Sequence, residues 1–172
     1  MIICHVGSGA SISCIKNGKC FDTTMGLTPL DGLVMGTRSG SIDPSIIKFM
    51  MDETGKNVDD ITDELNKNSG LLGICGKNDF RDVLALREKG DSKGILAYNL
   101  TMDSLIKYIA DYYFKLDGNV DALVFTAGVG ENAIGFREEV MEKLSCLGVK
   151  IDSSKSKVTG EQIKISKEIE NN

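Results

Sequence analysis

Three short segments of this 172-residue chain carry residue types suited to holding phosphate. The first is His5-Val6-Gly7-Ser8-Gly9-Ala10-Ser11. Alternating glycines in a tight turn expose successive backbone N–H groups on one side, and such a nest attracts phosphate oxygens. Side chains at Gly7 and Gly9 would hold a phosphate away, while Ser8 and His5 add donors. An ordinary hairpin turn beside a structural histidine reads from the same residues. The second segment is Met35–Ser41, where Thr37, Ser39, Gly36 and Gly40 flank Arg38. A guanidinium is a planar fork matched to phosphate or carboxylate. It can neutralise charge on a phosphoryl group in flight. A surface arginine paired with Asp43 is the competing reading.

The third segment runs from Phe125 to Asn132: a strand end, then Gly128-Val129-Gly130, then a helix start at Glu131. Backbone at a helix N-terminus is an anion site, and the glycines let a flat ring lie close. Only G-x-G is present and no Walker lysine follows, so neither a dinucleotide fingerprint nor a P-loop is read here. Asp79-Phe80-Arg81 is a lesser candidate, since an aromatic and an arginine at a helix start can stack on a base. A capped helix with a core phenylalanine is the plainer alternative.

These segments need elements to hold them. Residues Met1–His5, Ala10–Ile15 and Lys19–Asp22 alternate as strands, and Asn17-Gly18 signals a type I′ turn, so the chain opens as a three-stranded antiparallel meander. Thr23–Ser41 reads as a glycine-punctuated loop. Asp43-Pro44 starts a helix with Ile46, Ile47, Met50 and Met51 as its apolar stripe, ended by Gly55. A second helix spans Val58–Lys67. Leu71–Asn78 is expected to be a loop, and Asp79 caps a helix to about Lys89. A long helix follows over Lys93–Leu116, with Leu96, Leu100, Leu105, Ile109, Tyr112 and Tyr113 inward. Val120–Thr126 reads as a buried strand, Ala127–Gly130 as a turn and Glu131–Leu147 as one helix. A short strand is expected at Val149–Asp152 and an edge strand at Gln162–Ile165. The expected class is α/β, a mixed sheet with flanking helices around one core. Residues 1–152 form the domain, and 153–172 form a polar tail, loop or partly disordered. A chain whose first residues already read as a strand is expected to be a piece of a longer protein.

Composition narrows the function. A net charge of −5 argues against a nucleic-acid partner. No apolar run approaches a membrane span, and no signal peptide is read, so a cytoplasmic protein is expected. Five irregularly spaced cysteines and a single histidine give no zinc pattern and read as buried, reduced thiols.

In order and spacing, the motif segments resemble the acetate kinase family. HVGSGAS (His5–Ser11) is similar to that family's HLGNGAS, and DTTMGLTPLDGLVMGTRSGSIDP (Asp22–Pro44) to its long central signature. SGLLGICGKNDFRD (Ser69–Asp82) and VFTAGVGENA (Val124–Ala133) resemble its two later adenosine-side segments. The resemblance runs from Ile3 to about Val158. It implies an actin-like, ribonuclease H-like ATPase lobe, one of two that enclose ATP or ADP. It implies reversible transfer of the terminal phosphate of ATP to acetate with Mg2+, by a homodimer. On the resemblance, His5, Gly7, Ser8 and Gly9 contact phosphates, and Arg38 orients acetate and stabilises the phosphoryl group. Asp79, Phe80, Arg81, Gly128, Val129, Gly130, Glu131 and Asn132 line the adenosine pocket. Ser8 stands where the family usually has Asn, and Ser41 where it usually has Asp. The family's other lobe and final segment, which carry the metal-binding Asn and Glu, a second Arg and a second His, are not matched. The resemblance therefore places no metal ligand on this chain and implies that it is inactive alone. It also implies an exposed lobe interface, so dimerisation is expected, or disorder in Thr23–Ser41 and the tail. A propionate or butyrate kinase, or an actin-like nucleotide-binding module without chemistry, are the alternatives.

Overall fold

The alternation at the start of the chain folds as three antiparallel strands. In a computed structural model, which describes residues 1–157 and 161–166, β1 (Ile2–Val6), β2 (Ala10–Lys16) and β3 (Lys19–Thr23) form the expected meander. Asn17 and Gly18 take φ of 53° and 74°, the left-handed pair of a type I′ turn. A fourth strand, β4 (Leu123–Thr126), pairs with β1 in parallel, giving the order β3-β2-β1-β4. Period-two alternation sends Ile2, Cys4, Val6, Ala10, Ile12 and Cys14 into the core. Burial raises the Cys4 and Cys14 thiols above their usual range. Cys20 and Cys146 depart from the expected burial: they lie exposed, on β3 and in a 3-10 turn over Leu144–Leu147.

Asp79 caps its helix as expected, whereas Pro44 rather than Asp43 takes the N-cap position of the first helix. Asp43 Oδ1 accepts the Ser45 amide at the head of α1 (Ser45–Thr54), and Gly55 closes that helix at φ 69°. Its apolar stripe is not buried, however: no residue of α1 is, and Phe49 is 60% exposed. Asn57 accepts from the Asp59 and Asp60 amides to cap α2 (Val58–Lys67). Asp79 and Asp91 cap α4 (Phe80–Glu88) and α5 (Ser92–Lys115).

Other elements differ from expectation for local reasons. The segment expected as a loop contains α3 (Gly70–Cys75), whose first amides are satisfied by carbonyls of the Met35–Thr37 stretch rather than by a side-chain cap. On α5, Leu105, Ile109 and Tyr112 are buried, but Leu96 and Leu100 are exposed. Gly94, Ala97, Tyr98, Thr101 and Met102 face inward instead. A Cβ on Gly94 would overlap Leu86, so α4 and α5 approach through a position only glycine fits. The expected turn over Ala127–Gly130 is helical: α6 (Ala127–Asn132) follows β4 directly. Ala133 then separates it from α7 (Ile134–Lys143), where a single helix was expected. Beyond it, the expected strands reduce to one bridge between Ile151 and Ser166. Residues 153–157 form turns with Ser156 buried. The rest of the tail expected to be partly disordered includes residues outside those described.

Residues 24–41 hold no helix or strand, yet they are pinned rather than loose. Thr24 donates its amide to Ile12 and its hydroxyl oxygen accepts the Ile12 amide, while Leu33 and Met35 are buried. A cluster of Phe80, Tyr98 and Phe136, with ring centroids 4.9 to 6.0 Å apart, ties α4, α5 and α7 together. Among the described residues no helix is long and apolar enough to cross a membrane.

Ile12 has no exposed surface, whereas Leu27 is fully exposed. Truncating Ile12 to alanine is expected to cost about 2–5 kcal/mol in urea unfolding. Leu27→Ala should stay within about 0.5 kcal/mol of the parent.

Candidate functional site

The parallel register of β1 and β4 sets His5 opposite Thr126, so the chain leaves both strands side by side. One turn leads through Gly7–Gly9 and the other enters α6. A Cβ on Gly7 would lie 3.4 Å from the Ala127 Cβ, which measures how close the two turns are. Together with residues 78–81 and the Met35 loop they enclose a cavity of about 750 Å3. His5, Gly7, Ser8, Gly9, Asp79, Phe80, Arg81, Gly128, Val129 and Asn132 all line it, with apolar walls from Leu33, Met35, Leu71, Leu84 and Leu105. Arg38, Gly130 and Glu131 do not line it. The size suits a nucleotide, since ligand pockets run from about 300 to 1,000 Å3.

Glycines bring the loops this close. Gly36 donates its amide to the Ser8 carbonyl at 3.2 Å, and a Cβ there would lie 2.7 Å from the Asn78 carbonyl oxygen. Gly70 sits at φ 59°, where a Cβ would overlap the Met35 carbonyl oxygen. From this corner Ser69, Leu71 and Leu72 donate amides at 2.9 Å to Thr37, Met35 and Gly36. Met35 donates in turn to the Arg38 carbonyl, and Ser39 to Leu65. The turn that carries Arg38 is therefore fixed by main-chain bonds on both sides.

Arg38 itself is half-buried, with Nη1 3.7 Å from the Met35 sulfur and 3.6 Å from where a Cβ on Gly9 would stand. Among the described residues it makes no ion pair. Asp43, its suggested partner, is turned to the α1 amide instead. Ser41 does not touch Arg38. Its hydroxyl donates to Asp31 Oδ1 at 2.5 Å, accepts the Gly32 amide at 3.1 Å and lies 3.1 Å from the Tyr108 hydroxyl. It thus closes the loop at its far end. Ser8 is exposed at the cavity rim, and its carbonyl accepts the Gly36 amide.

At the other wall, Asp79 accepts the Arg81 amide at 2.8 Å and its guanidinium at 2.5 to 3.2 Å. The Arg81 side chain, then its amide, hold the Asp79 carboxyl down at about 2. Phe80 is buried against Tyr98 and Phe136, so its ring forms cavity floor rather than a free stacking surface. Glu131 reaches back to accept the Ala127 amide at 3.1 Å, steadying a residue held at φ 66°. Gly130 is buried, and its carbonyl, with that of Glu131, accepts from Arg137 Nη1 at 2.7 and 2.8 Å. Buried Arg137 also donates to the Ser156 carbonyl, joining α6 to the segment after α7. Sequence reasoning missed Arg137, Gly70 and Thr126. Thr126 Oγ1 lies 3.0 Å from His5 Nδ1, a pairing visible only once the strand register is known. Among the described residues no three His, Cys, Asp or Glu side chains gather as metal ligands.

Two outcomes follow. Gly70→Ala should lose at least about 2 kcal/mol by urea denaturation, through both its φ and its overlap with Met35. The Asp79 carboxyl, depressed below an unfolded value of about 3.9, contributes stability above that pH and loses it as pH falls through about 2. The stability gap between parent and Asp79→Asn should therefore be flat above about pH 5 and shrink from about pH 4 downward. An acid-denaturation series measures it.

The family model for the acetokinase family matches residues 1–171. An acetate kinase from Desulfovibrio desulfuricans is 54% identical over 155 residues, which cover 90% of this chain and 38% of that protein. A solved propionate kinase from Francisella tularensis superposes with a TM-score of 0.89 at 49% identity. Porphyromonas gingivalis acetate kinase does so with 0.90 at 40% identity, and each match covers 96% of this chain and 42% of the other. These neighbours bear out the expected actin-like kinase fold, and the chain spans about two fifths of the length of the relatives it matches. This chain belongs to the acetokinase family.

Proposed function

We propose that residues 1–152 are the nucleotide-binding lobe of a kinase that transfers the terminal phosphate of ATP reversibly to acetate. The observation that carries this reading is the meeting of the Gly7–Gly9 turn, His5 and the α6 start on one cavity, with Arg38 just across Gly9. The Gly7 to Gly9 backbone, Ser8 and His5 hold the outer phosphates. Arg38, free of any carboxylate partner among the described residues, meets the phosphoryl group and the acetate carboxylate. Asp79, Phe80, Arg81, Gly128, Val129 and Asn132 line the adenosine end, while Gly130 and Glu131 shape α6 from behind. Mg2+ arriving with the nucleotide would offset phosphate charge, and among the described residues no ligand cluster gathers for it.

The match to two fifths of each relative supports a division of labour, in which the remaining catalytic groups lie on segments this chain does not match. On this reading the chain binds nucleotide but does not turn over alone, and the complete enzyme is a cytoplasmic homodimer. The Francisella relative makes propionate the acyl substrate to test beside acetate.

Calorimetric titration of MgADP tests the core of the reading. The parent should bind, and Gly9→Val should weaken binding at least about tenfold by crowding the cradle. Arg38→Ala should stay within about threefold, since Arg38 does not line the cavity. A folded parent that ignores MgADP would overturn the nucleotide-lobe reading. Acetyl phosphate formation by this chain alone would overturn the division of labour.

A further inference from the structure

Thr126 sits at the N-cap of α6, where a threonine hydroxyl ordinarily accepts an amide from the first turn. It makes no such bond. Glu131 takes the amide of Ala127, the first helical residue, from four residues downstream. The Thr126 hydroxyl bonds no amide of the helix and lies 3.0 Å from His5 Nδ1, its neighbour in the parallel register of β1 and β4. His5 is exposed and lines the cavity. With Nδ1 engaged by the sheet, Nε2 is the ring nitrogen left for a ligand.

We propose that Thr126 is a positioning residue: its hydroxyl donates to His5 Nδ1 and so holds the neutral imidazole as the Nε2–H tautomer. A neutral imidazole has one donor and one acceptor nitrogen, and the bond at one decides the role of the other. An Nε2–H group donates to a phosphate oxygen, whereas a bare Nε2 repels it. The Gly7 amide is taken by the Gly9 carbonyl at 3.1 Å, but the Ser8 and Gly9 amides beside it are donors too, so this tautomer adds a third donor to the cradle. No proton need leave the imidazole for this, and Thr126 itself touches no ligand. The purpose of the arrangement rests on the nucleotide reading above, but the tautomer does not.

The protein has a single histidine, so one imidazole gives the whole signal. The test is nitrogen-15 NMR of the ligand-free protein, recorded at rising pH until the imidazole shifts no longer change. The parent is expected to show a bare Nδ1 and a protonated Nε2. Thr126→Val should move both shifts toward a tautomer mixture, and Thr126→Ser should restore them. A parent imidazole protonated at Nδ1, or shifts unchanged by Thr126→Val in a protein of unaltered circular dichroism, would overturn the proposal. MgADP titration of the same variants separates the two readings. Thr126→Val should bind about three- to tenfold more weakly and Thr126→Ser like the parent. Failure of the parent to bind would sink the nucleotide reading and leave the tautomer to be decided by the NMR.

Discussion

The site depends on a place where no side chain can stand. Gly36 is wedged between the Ser8 and Asn78 carbonyl oxygens, and its own amide bonds to Ser8. The β1–β2 turn, the arginine loop and the lead-in to α4 meet there, main chain against main chain. Gly70 repeats the device one layer out, where α3 begins against Met35 and Arg38. Contacts between backbones leave little rotamer freedom to lose and little slack to absorb change. The outward side chains, Ser8 and Arg38 among them, are spared a structural task.

The α6 segment solves a different difficulty. Two glycines in a six-residue helix weaken it, by roughly 1 kcal/mol each relative to alanine. The helix also opens at a positive φ without a cap. Glu131 holds the first amide, that of Ala127, from within the helix, and Arg137 holds two of its last carbonyls from outside. Both residues serve the cavity from behind. The resemblance places Glu131 in the adenosine pocket, and the geometry gives it instead the amide of Ala127.

Much of this was legible from local signals. The type I′ turn at Asn17-Gly18, the Asp79 cap and the Gly7–Gly9 turn declare themselves within a few residues, because their partners are that near. What stayed hidden depends on partners far along the chain. Gly70 answers to Met35, Arg137 to Ser156 and Thr126 to His5. Neither α3, capped by a remote loop, nor the inner face of α5, chosen by the demands of α4 at Gly94, follows from propensity or periodicity. Ser41 is instructive in the same way. It stands close to Arg38 in sequence, yet its hydrogen bonds run to Asp31, Gly32 and Tyr108.

The parallel pairing of β1 with β4 bears on how the protein is made. His5 and Thr126 lie 121 residues apart. During synthesis the β1–β2–β3 meander, built from near neighbours, can close long before β4 has left the ribosome. Until then β1 presents an unpaired edge, the kind of surface that recruits the wrong strand. Within this chain, β1 is therefore made long before the strand that covers its edge. The interval between the two is set by the pace of translation, at roughly 5–20 residues per second.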